Sequence, residues 1–74
     1  SGKYDIITAN IVANAILCLA PAVPGLMAEG ATFIASGIID SRKDEVIAGL
    51  KKAGLAVAEV KEKRGWECIV CKKA

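Results

Sequence analysis

Short apolar runs separated by polar or glycine-containing breaks predict strands. Residues 4–9 (YDIITA) are β-branched and aromatic and form a short run, which suits a buried strand. Residues 31–39 (ATFIASGII) are apolar on both faces, as in a central strand of a parallel sheet. Residues 55–62 (LAVAEVKE) change from apolar to charged, which is typical of an edge strand. Residues 63–65 (KRG) then predict a hairpin turn, and residues 66–72 (WECIVCK) return as the last strand.

The stretch between the first two strands predicts a helix that is apolar on all sides. It starts at residue 11 or 12 and continues to residue 20. Pro21 and Pro24 break or restart this helix, and residues 23–27 form one further turn. Glu29-Gly30 marks a turn before the second strand.

A second helix is expected over residues 42–53. Ser41 with Asp44 resembles a capping box at its start, and Gly54 follows its end. Lys51 and Lys52 lie in its last turn, where cations are favourable. Its apolar face carries Val46, Ile47, Leu50 and Ala53.

The resulting order is β-α-β-α-β-β, an α/β fold. Strands joined by helices run parallel with right-handed crossovers, and the final hairpin adds one antiparallel strand. Both helices then cover one face of the sheet. The other face, for which we expect residues such as Ile7, Phe33 or Ala35, has no cover within these residues. An open apolar face is unstable in water, so we expect a larger domain or a second copy to cover it.

Composition excludes several classes of function. A chain of 74 residues makes one small domain, and 54% hydrophobic residues are too many for a disordered chain. The net charge of +2 is too balanced to indicate nucleic acid. Without histidine, these residues supply no imidazole base and no histidine metal ligand. Three cysteines leave at least one thiol unpaired, which argues against a disulfide scaffold, and nothing else in the sequence indicates secretion.

An uncharged segment over residues 6–28 is long enough to span a bilayer. It contains two asparagines and two prolines, and its flanks lack a basic cluster and an aromatic belt. Asp5 follows a single lysine, unlike the start of a signal peptide. We therefore expect no membrane segment and a cytoplasmic protein.

Cys68 and Cys71 form a C-x-x-C pair within the last strand. Residues three apart in a strand point to opposite faces, so the pair cannot hold one metal ion. We expect no metal, and buried free thiols at Cys18, Cys68 and Cys71.

Residues 4–14 (YDIITANIVAN) resemble the fourth motif of class I S-adenosylmethionine-dependent methyltransferases. More narrowly, they are similar to the bacterial ribosomal protein L11 methyltransferase family. The similarity continues through almost the whole chain, at Pro21, residues 26–30 (LMAEG), residues 33–38 (FIASGI), residues 44–46 (DEV), Gly54 and residues 65–67 (GWE).

The resemblance implies that residues 1–74 are the C-terminal part of a catalytic domain with a partial Rossmann-like methyltransferase sheet. The glycine-rich cofactor turn and the acidic residue that would hold the ribose lie outside this chain. It also implies S-adenosyl-L-methionine as cofactor and lysine or N-terminal amines of a ribosomal protein as acceptors. The 74 residues alone are then expected to be inactive. Ser1-Gly2 is either a natural loop or a cloning remnant.

Five residues become site candidates on this resemblance. Asn10 stands at the carboxyl end of a strand, where open α/β sheets bind ligands. The resemblance implies that Asn10 is catalytic, and that Asn10 and Ile11 bind the cofactor. It makes Asn14, Gly37 and Trp66 substrate-binding.

Four of the five candidates also have a purely structural interpretation. Asn10 would serve as a helix N-cap, and Asn14 would be a polar residue on a helix flank. Gly37 would be an ordinary loop glycine. Trp66 would pack over the sheet edge.

Two alternative functions remain open. One is a related methyltransferase for a small molecule or nucleic acid, although Asn10 lacks the Pro-Pro-aromatic sequence usual in enzymes for nucleic-acid amines. The other is a non-catalytic α/β interaction module that assembles through its open face. The charged residues 61–64 are a solvated hairpin tip or a contact for an acidic ribosomal partner or RNA.

Overall fold

A computed structural model describes residues 3–73, which form an α/β fold; Ser1 and Gly2 lie outside them. The order β-α-β-α-β-β is confirmed, with the first helix divided into two. The elements are β1 (Tyr4–Asn10), α1 (Ala13–Leu19), α2 (Val23–Leu26), β2 (Met27–Ile39), α3 (Lys43–Lys52), β3 (Leu55–Lys63) and β4 (Trp66–Lys73), with 3-10 turns at Ala20–Ala22 and Asp40–Arg42.

The strand order in the sheet is β1-β2-β4-β3. Strands β1 and β2 are parallel, and β4 is antiparallel to both of its neighbours. The hairpin prediction is confirmed, since Lys63 pairs with Trp66 across a two-residue turn. Arg64 (φ 54°) and Gly65 (φ 84°) both adopt positive φ, as the tight turn that suits strand twist requires. Strand β3 lies at the edge, as its charged end predicts.

The prolines divide the first helical region as predicted. Helix α1 ends before Pro21, which lies in the first turn of the following 3-10 segment, and Pro24 lies in the first turn of α2. There the missing N–H costs no helical hydrogen bond. The predicted start of the second strand is wrong, because β2 begins at Met27. Glu29-Gly30 is a register irregularity inside β2, with Gly30 at φ 76°.

The predicted capping box is not formed. Because the 3-10 turn precedes α3, the cap position falls on Arg42, and no side chain accepts a hydrogen bond there. The end of the helix is as predicted: Gly54 follows it in the left-handed region, with φ 98°.

Helices α1 and α3 pack against one face of the sheet and form a single core with it. The predicted apolar face of α3 is confirmed, with Val46 and Leu50 fully buried. The buried members of the core are Ala13, Ile16, Ala20, Val23, Met27, Ala31, Phe33, Ala35, Ile38, Val46, Leu50, Leu55, Ile69 and Cys71.

The residues expected on the open face of the sheet are on the covered face. Phe33 and Ala35 are fully buried in the core, and Ile7 packs partly against it. The open face is formed by the alternate positions, because side chains in a strand alternate between faces. Its apolar residues include Ile6, which is 65% exposed, and the partly buried Ile34 and Val70.

Cys68 and Cys71 point to opposite faces, as predicted. Cys71 is buried in the core, where burial raises the pKa of its thiol to about 11. Cys68 is only partly buried, and Cys18 is exposed on α1. The expectation of three buried thiols is therefore wrong for Cys18, because α1 turns that side away from the sheet.

Glu67 is a carboxylate inside the core, at 2% exposure on the covered face of β4. Within residues 3–73, neither of its carboxylate oxygens has a partner that meets hydrogen-bond geometry. Interaction with the neighbouring Asp40 carboxyl and burial raise the pKa of Glu67, while Lys43 lowers it.

In the described part of the chain, every helix is too short or too polar to cross a bilayer.

Candidate functional site

Two adjoining clefts open where β1 and β2 end and β4 begins. Their volumes are about 260 Å³ and about 370 Å³, so each alone is near the lower limit for a small-molecule pocket. The clefts share Val12, Gly37 and Trp66. The first is also lined by Ala13, Asn14, Ile39 and Arg42, and the second by Asn10 and Ile11. All five residues predicted for the site therefore lie together.

Asn10 is the last residue of β1 and lies beside Ser36 of β2. Its interpretation as a helix cap is wrong, because Val12 occupies the cap of α1 and no side chain hydrogen-bonds there. The Asn10 amide instead packs against Gly37. A Cβ atom at Gly37 would lie 2.5 Å from Asn10 Oδ1, far inside contact distance.

Gly37 is required by its backbone as well as by its neighbour. Its φ is 78°, and the pairing of β2 with β4 shifts register between Ala35 and Ile38. A bulge of this kind re-aims the strand end, and glycine enters the left-handed region without steric cost. Gly37 is thus a strand residue that lets the Asn10 amide approach, and the interpretation as a loop glycine is wrong.

Asn14 projects from the first turn of α1 into the first cleft. Its Oδ1 atom accepts a hydrogen bond of 2.6 Å from Nη2 of Arg42. Arg42 in turn donates from Nε to Oε1 of Glu45 at 2.7 Å and from Nη2 to Oε2 at 3.1 Å. Glu45 raises the pKa of Arg42, and Arg42 lowers the pKa of Glu45.

Arg42 is a site residue that sequence reasoning missed. It lies 28 positions from its partner Asn14, and no local pattern indicates that contact. The nearby Glu45 at i+3 was the available signal, since such a pair can hold a guanidinium in place.

Trp66 begins β4 and pairs with Ile39 of β2 on one side and Lys63 of β3 on the other. Strand β4 is an interior strand, between β2 and the edge strand β3. Its side chain is 54% exposed and lines both clefts. With Val12, which is 68% exposed, it gives the clefts apolar walls.

The side chains that line the clefts have no group that exchanges a proton near neutral pH, because their polar members are two amides, an indole and a guanidinium. Across residues 3–73, no three His, Cys, Asp or Glu side chains cluster in a way that suits a metal ion. The arrangement can therefore position a ligand with amides and apolar walls.

Comparison with known proteins gives consistent results. The family model described as ribosomal protein L11 methyltransferase matches residues 1–74. A ribosomal protein L11 methyltransferase from Agathobacter rectalis is 44% identical over 71 residues, and one from Desulfitobacterium hafniense is 48% identical over 65 residues. These alignments cover 96% and 88% of this chain. A crystal structure of a ribosomal protein L11 methylase from Lactobacillus delbrueckii subsp. bulgaricus superposes over the whole chain with a TM-score of 0.92 and 25% identity.

The chain spans 22% and 21% of the length of those two relatives and 39% of the solved structure. The family-model match includes the strand ends that carry the clefts. The chain therefore belongs to the ribosomal protein L11 methyltransferase family.

Proposed function

We propose that these 74 residues are the C-terminal part of the catalytic domain of an S-adenosylmethionine-dependent protein methyltransferase. Its acceptors are lysine or N-terminal amines of a ribosomal protein, which would place the reaction in the cytoplasm. The observation that carries the proposal is the convergence of the five predicted residues on two adjoining clefts at the strand ends. The names of the relatives support a ribosomal protein as the acceptor.

The second cleft suits the cofactor. Its lining has an amide at Asn10, apolar side chains at Ile11 and Val12, and the indole of Trp66, but no side-chain cation. When bound, S-adenosylmethionine supplies a methyl group on a positively charged sulfur. A positive ligand is favoured beside an aromatic face and an amide oxygen, and it would be repelled by a cation. Asn10 and Ile11 would hold this ligand.

Asn10 would also position the acceptor amine. Its Oδ1 atom can accept a hydrogen bond from an amine N–H, which directs the lone pair of a neutral amine away from the amide. Gly37 keeps that oxygen at the strand end, since any side chain there would displace it. Holding two reactants in line supplies several kcal/mol toward such a transfer. The amine would react in its neutral form and would lose a proton to solvent after the transfer. Trp66 would shield the reacting atoms from water.

The remaining length of the protein would complete the site. The relatives are several times longer than this chain, which leaves room for a glycine-rich cofactor turn. The same part would cover the open sheet face, where Ile6 is 65% exposed. If a second copy covers that face instead, the chain is a non-catalytic interaction module, and the isolated 74 residues will form a discrete, stable dimer in light scattering.

The test is methyl transfer by the full polypeptide that contains these residues. Labelled S-adenosylmethionine is supplied with ribosomal proteins, with small-molecule amines or with RNA as acceptor. We expect transfer to a ribosomal protein, and Asn10→Ala should lower kcat/KM about a hundredfold through lost alignment. Thr8→Ala, a loss of a polar group from the same strand outside the clefts, is the matched control and should stay within about twofold.

Three results would contradict the proposal at different points. No transfer by the full polypeptide would refute the function. Transfer only to small molecules or RNA would refute the acceptor class. Transfer by the isolated 74 residues would refute the need for the remaining part.

A further inference from the structure

The side chain of Arg42 connects two elements that are remote in sequence. It precedes α3 and reaches Asn14 in the first turn of α1, with 2.6 Å between Nη2 and Oδ1. Both residues line the first cleft together with Val12, Ile39 and Trp66. The contact therefore joins two polar side chains within a mostly apolar cleft lining.

Glu45 holds the guanidinium of Arg42 on its other side. The two contacts, Nε to Oε1 at 2.7 Å and Nη2 to Oε2 at 3.1 Å, form a bidentate pair. A planar guanidinium bound in this way has a defined orientation, which a single contact would not give. The Nη2 atom that faces Asn14 is thus itself held in place.

The contact with Arg42 determines which hydrogen-bonding groups of the Asn14 amide face a ligand. An asparagine side chain offers one carbonyl acceptor and two N–H donors, and its terminal torsion is soft. With Oδ1 accepting from Arg42, the Nδ2 group is turned away from the guanidinium, so its two N–H donors are the groups best placed for a ligand, although Oδ1 keeps a second lone pair. Without Arg42, the amide can rotate and present either its oxygen or its nitrogen.

We propose that Arg42 is a positioning residue that fixes Asn14 as a hydrogen-bond donor toward the first cleft, where Asn14 binds a backbone carbonyl oxygen of the acceptor polypeptide. The inference rests on the proposed function. It divides the two amides by role: the Asn10 oxygen receives the acceptor amine, and Asn14 binds the peptide that carries it. The apolar walls at Val12, Ile39 and Trp66 suit the aliphatic part of that peptide.

Steady-state kinetics of the full polypeptide with a ribosomal protein acceptor test this role. Arg42→Met and Asn14→Ala should each raise KM for the protein acceptor about fivefold to tenfold, with kcat and the affinity for S-adenosylmethionine within about twofold. The double variant should be no worse than Asn14→Ala, because the two residues act through one hydrogen bond. Lys51→Met, an exposed cation at the far end of α3, is the matched control and should leave all three quantities unchanged.

Asn14→Asp separates the donor role from a structural one. The carboxylate keeps the contact with Arg42 but has no N–H to offer. We therefore expect an acceptor KM as high as that of Asn14→Ala, with thermal stability at least equal to wild type. A wild-type KM in Asn14→Asp, or additive effects in the double variant, would overturn the proposal.

A failure of the proposed function is distinguishable from a failure of this inference. If the wild-type polypeptide transfers no methyl group, the position of the amide is tested by NMR of the Asn14 side-chain NH₂ signals. Arg42→Met should shift these signals and leave those of Asn10 in place. Unchanged Asn14 signals would overturn the positioning role by themselves.

Discussion

Replacing Gly37 by alanine tests whether the close contact between Gly37 and the Asn10 amide positions the site. The new Cβ atom would lie 2.5 Å from Asn10 Oδ1, whereas ordinary contacts begin at 3.4 Å. The Asn10 amide must then move by about 1 Å or rotate away from the cleft. Gly30 offers a matched control, because its φ of 76° is close to the 78° of Gly37 and nothing lies within 4 Å of its Cβ position.

Both substitutions should lower stability by a similar amount, but only Gly37→Ala should lower activity. Each places an alanine in the left-handed region, at about 1–2 kcal/mol of stability. Asn10 is exposed, so its amide can move into solvent, and the two variants should differ in stability by less than about 0.5 kcal/mol. Only Gly37→Ala misplaces the Asn10 oxygen, and an error of about 1 Å in a positioning group costs about a hundredfold in rate.

Urea unfolding and methyl-transfer kinetics of the full polypeptide measure the two effects separately. We expect equal stability losses, a hundredfold fall in kcat/KM for Gly37→Ala and no fall for Gly30→Ala. Equal activities in the two variants would refute the role of the Gly37–Asn10 contact. A much larger stability loss for Gly37→Ala would show that the contact supports the fold instead.

Three further predictions concern the core. The pKa of Glu67 is raised in the fold, so ionised Glu67 destabilises the protein above its ordinary pKa of 4.5, and this penalty vanishes below that pH. Glu67→Gln should therefore raise the urea midpoint at pH 7 but not at pH 4. A gain in the urea midpoint that does not depend on pH would contradict the reasoning. Cys18 should react with a thiol reagent at pH 8 at least about ten times faster than Cys71, whose thiol has a pKa of about 11; equal rates in the folded chain would contradict its burial. Phe33→Ala should cost about 3–5 kcal/mol and Val60→Ala, at a 39% exposed position, less than about 1 kcal/mol; equal losses in urea unfolding would place Phe33 outside the core.

The elements were predictable where local chemistry is decisive. The hairpin at Arg64-Gly65 needs positive φ at two adjacent residues, and the sequence carries a glycine there. Pro21 and Pro24 end or begin helical turns wherever they occur. The start of β2 was not predictable, because Glu29-Gly30 is a turn signal by composition, whereas Met27 before it already pairs with Tyr4 of β1.

The faces of the sheet were harder to predict than its strands. Both sets of alternate positions in β2 are apolar, so periodicity does not say which set the helices cover. Phe33 and Ala35 were assigned to the wrong side for that reason. The burial of Cys18 was predicted wrongly for a similar reason. Helix α1 is apolar on every side, so the burial of Cys18 depends on how the helix is rotated against the sheet.

For the site too, some features were predictable from the sequence and others were not. The resemblance selected the five candidates. They lie together because the carboxyl ends of the parallel strands β1 and β2 meet at one edge of the sheet, and the antiparallel strand β4 begins at the same edge. The helix-cap interpretation of Asn10 failed since α1 begins three residues later, at Ala13.

By itself, the sequence determined the order of strands and helices, the hairpin and the family, because each depends on residues close together in the chain or on a continuous motif. The tertiary structure alone decided which face is covered, that Glu67 lies in the core, and that Arg42 holds Asn14. These features depend on contacts between residues far apart in sequence, and local sequence patterns do not predict which distant side chains will be in contact. The orientation of the Asn14 amide is the clearest case, since it is set by a guanidinium 28 residues away.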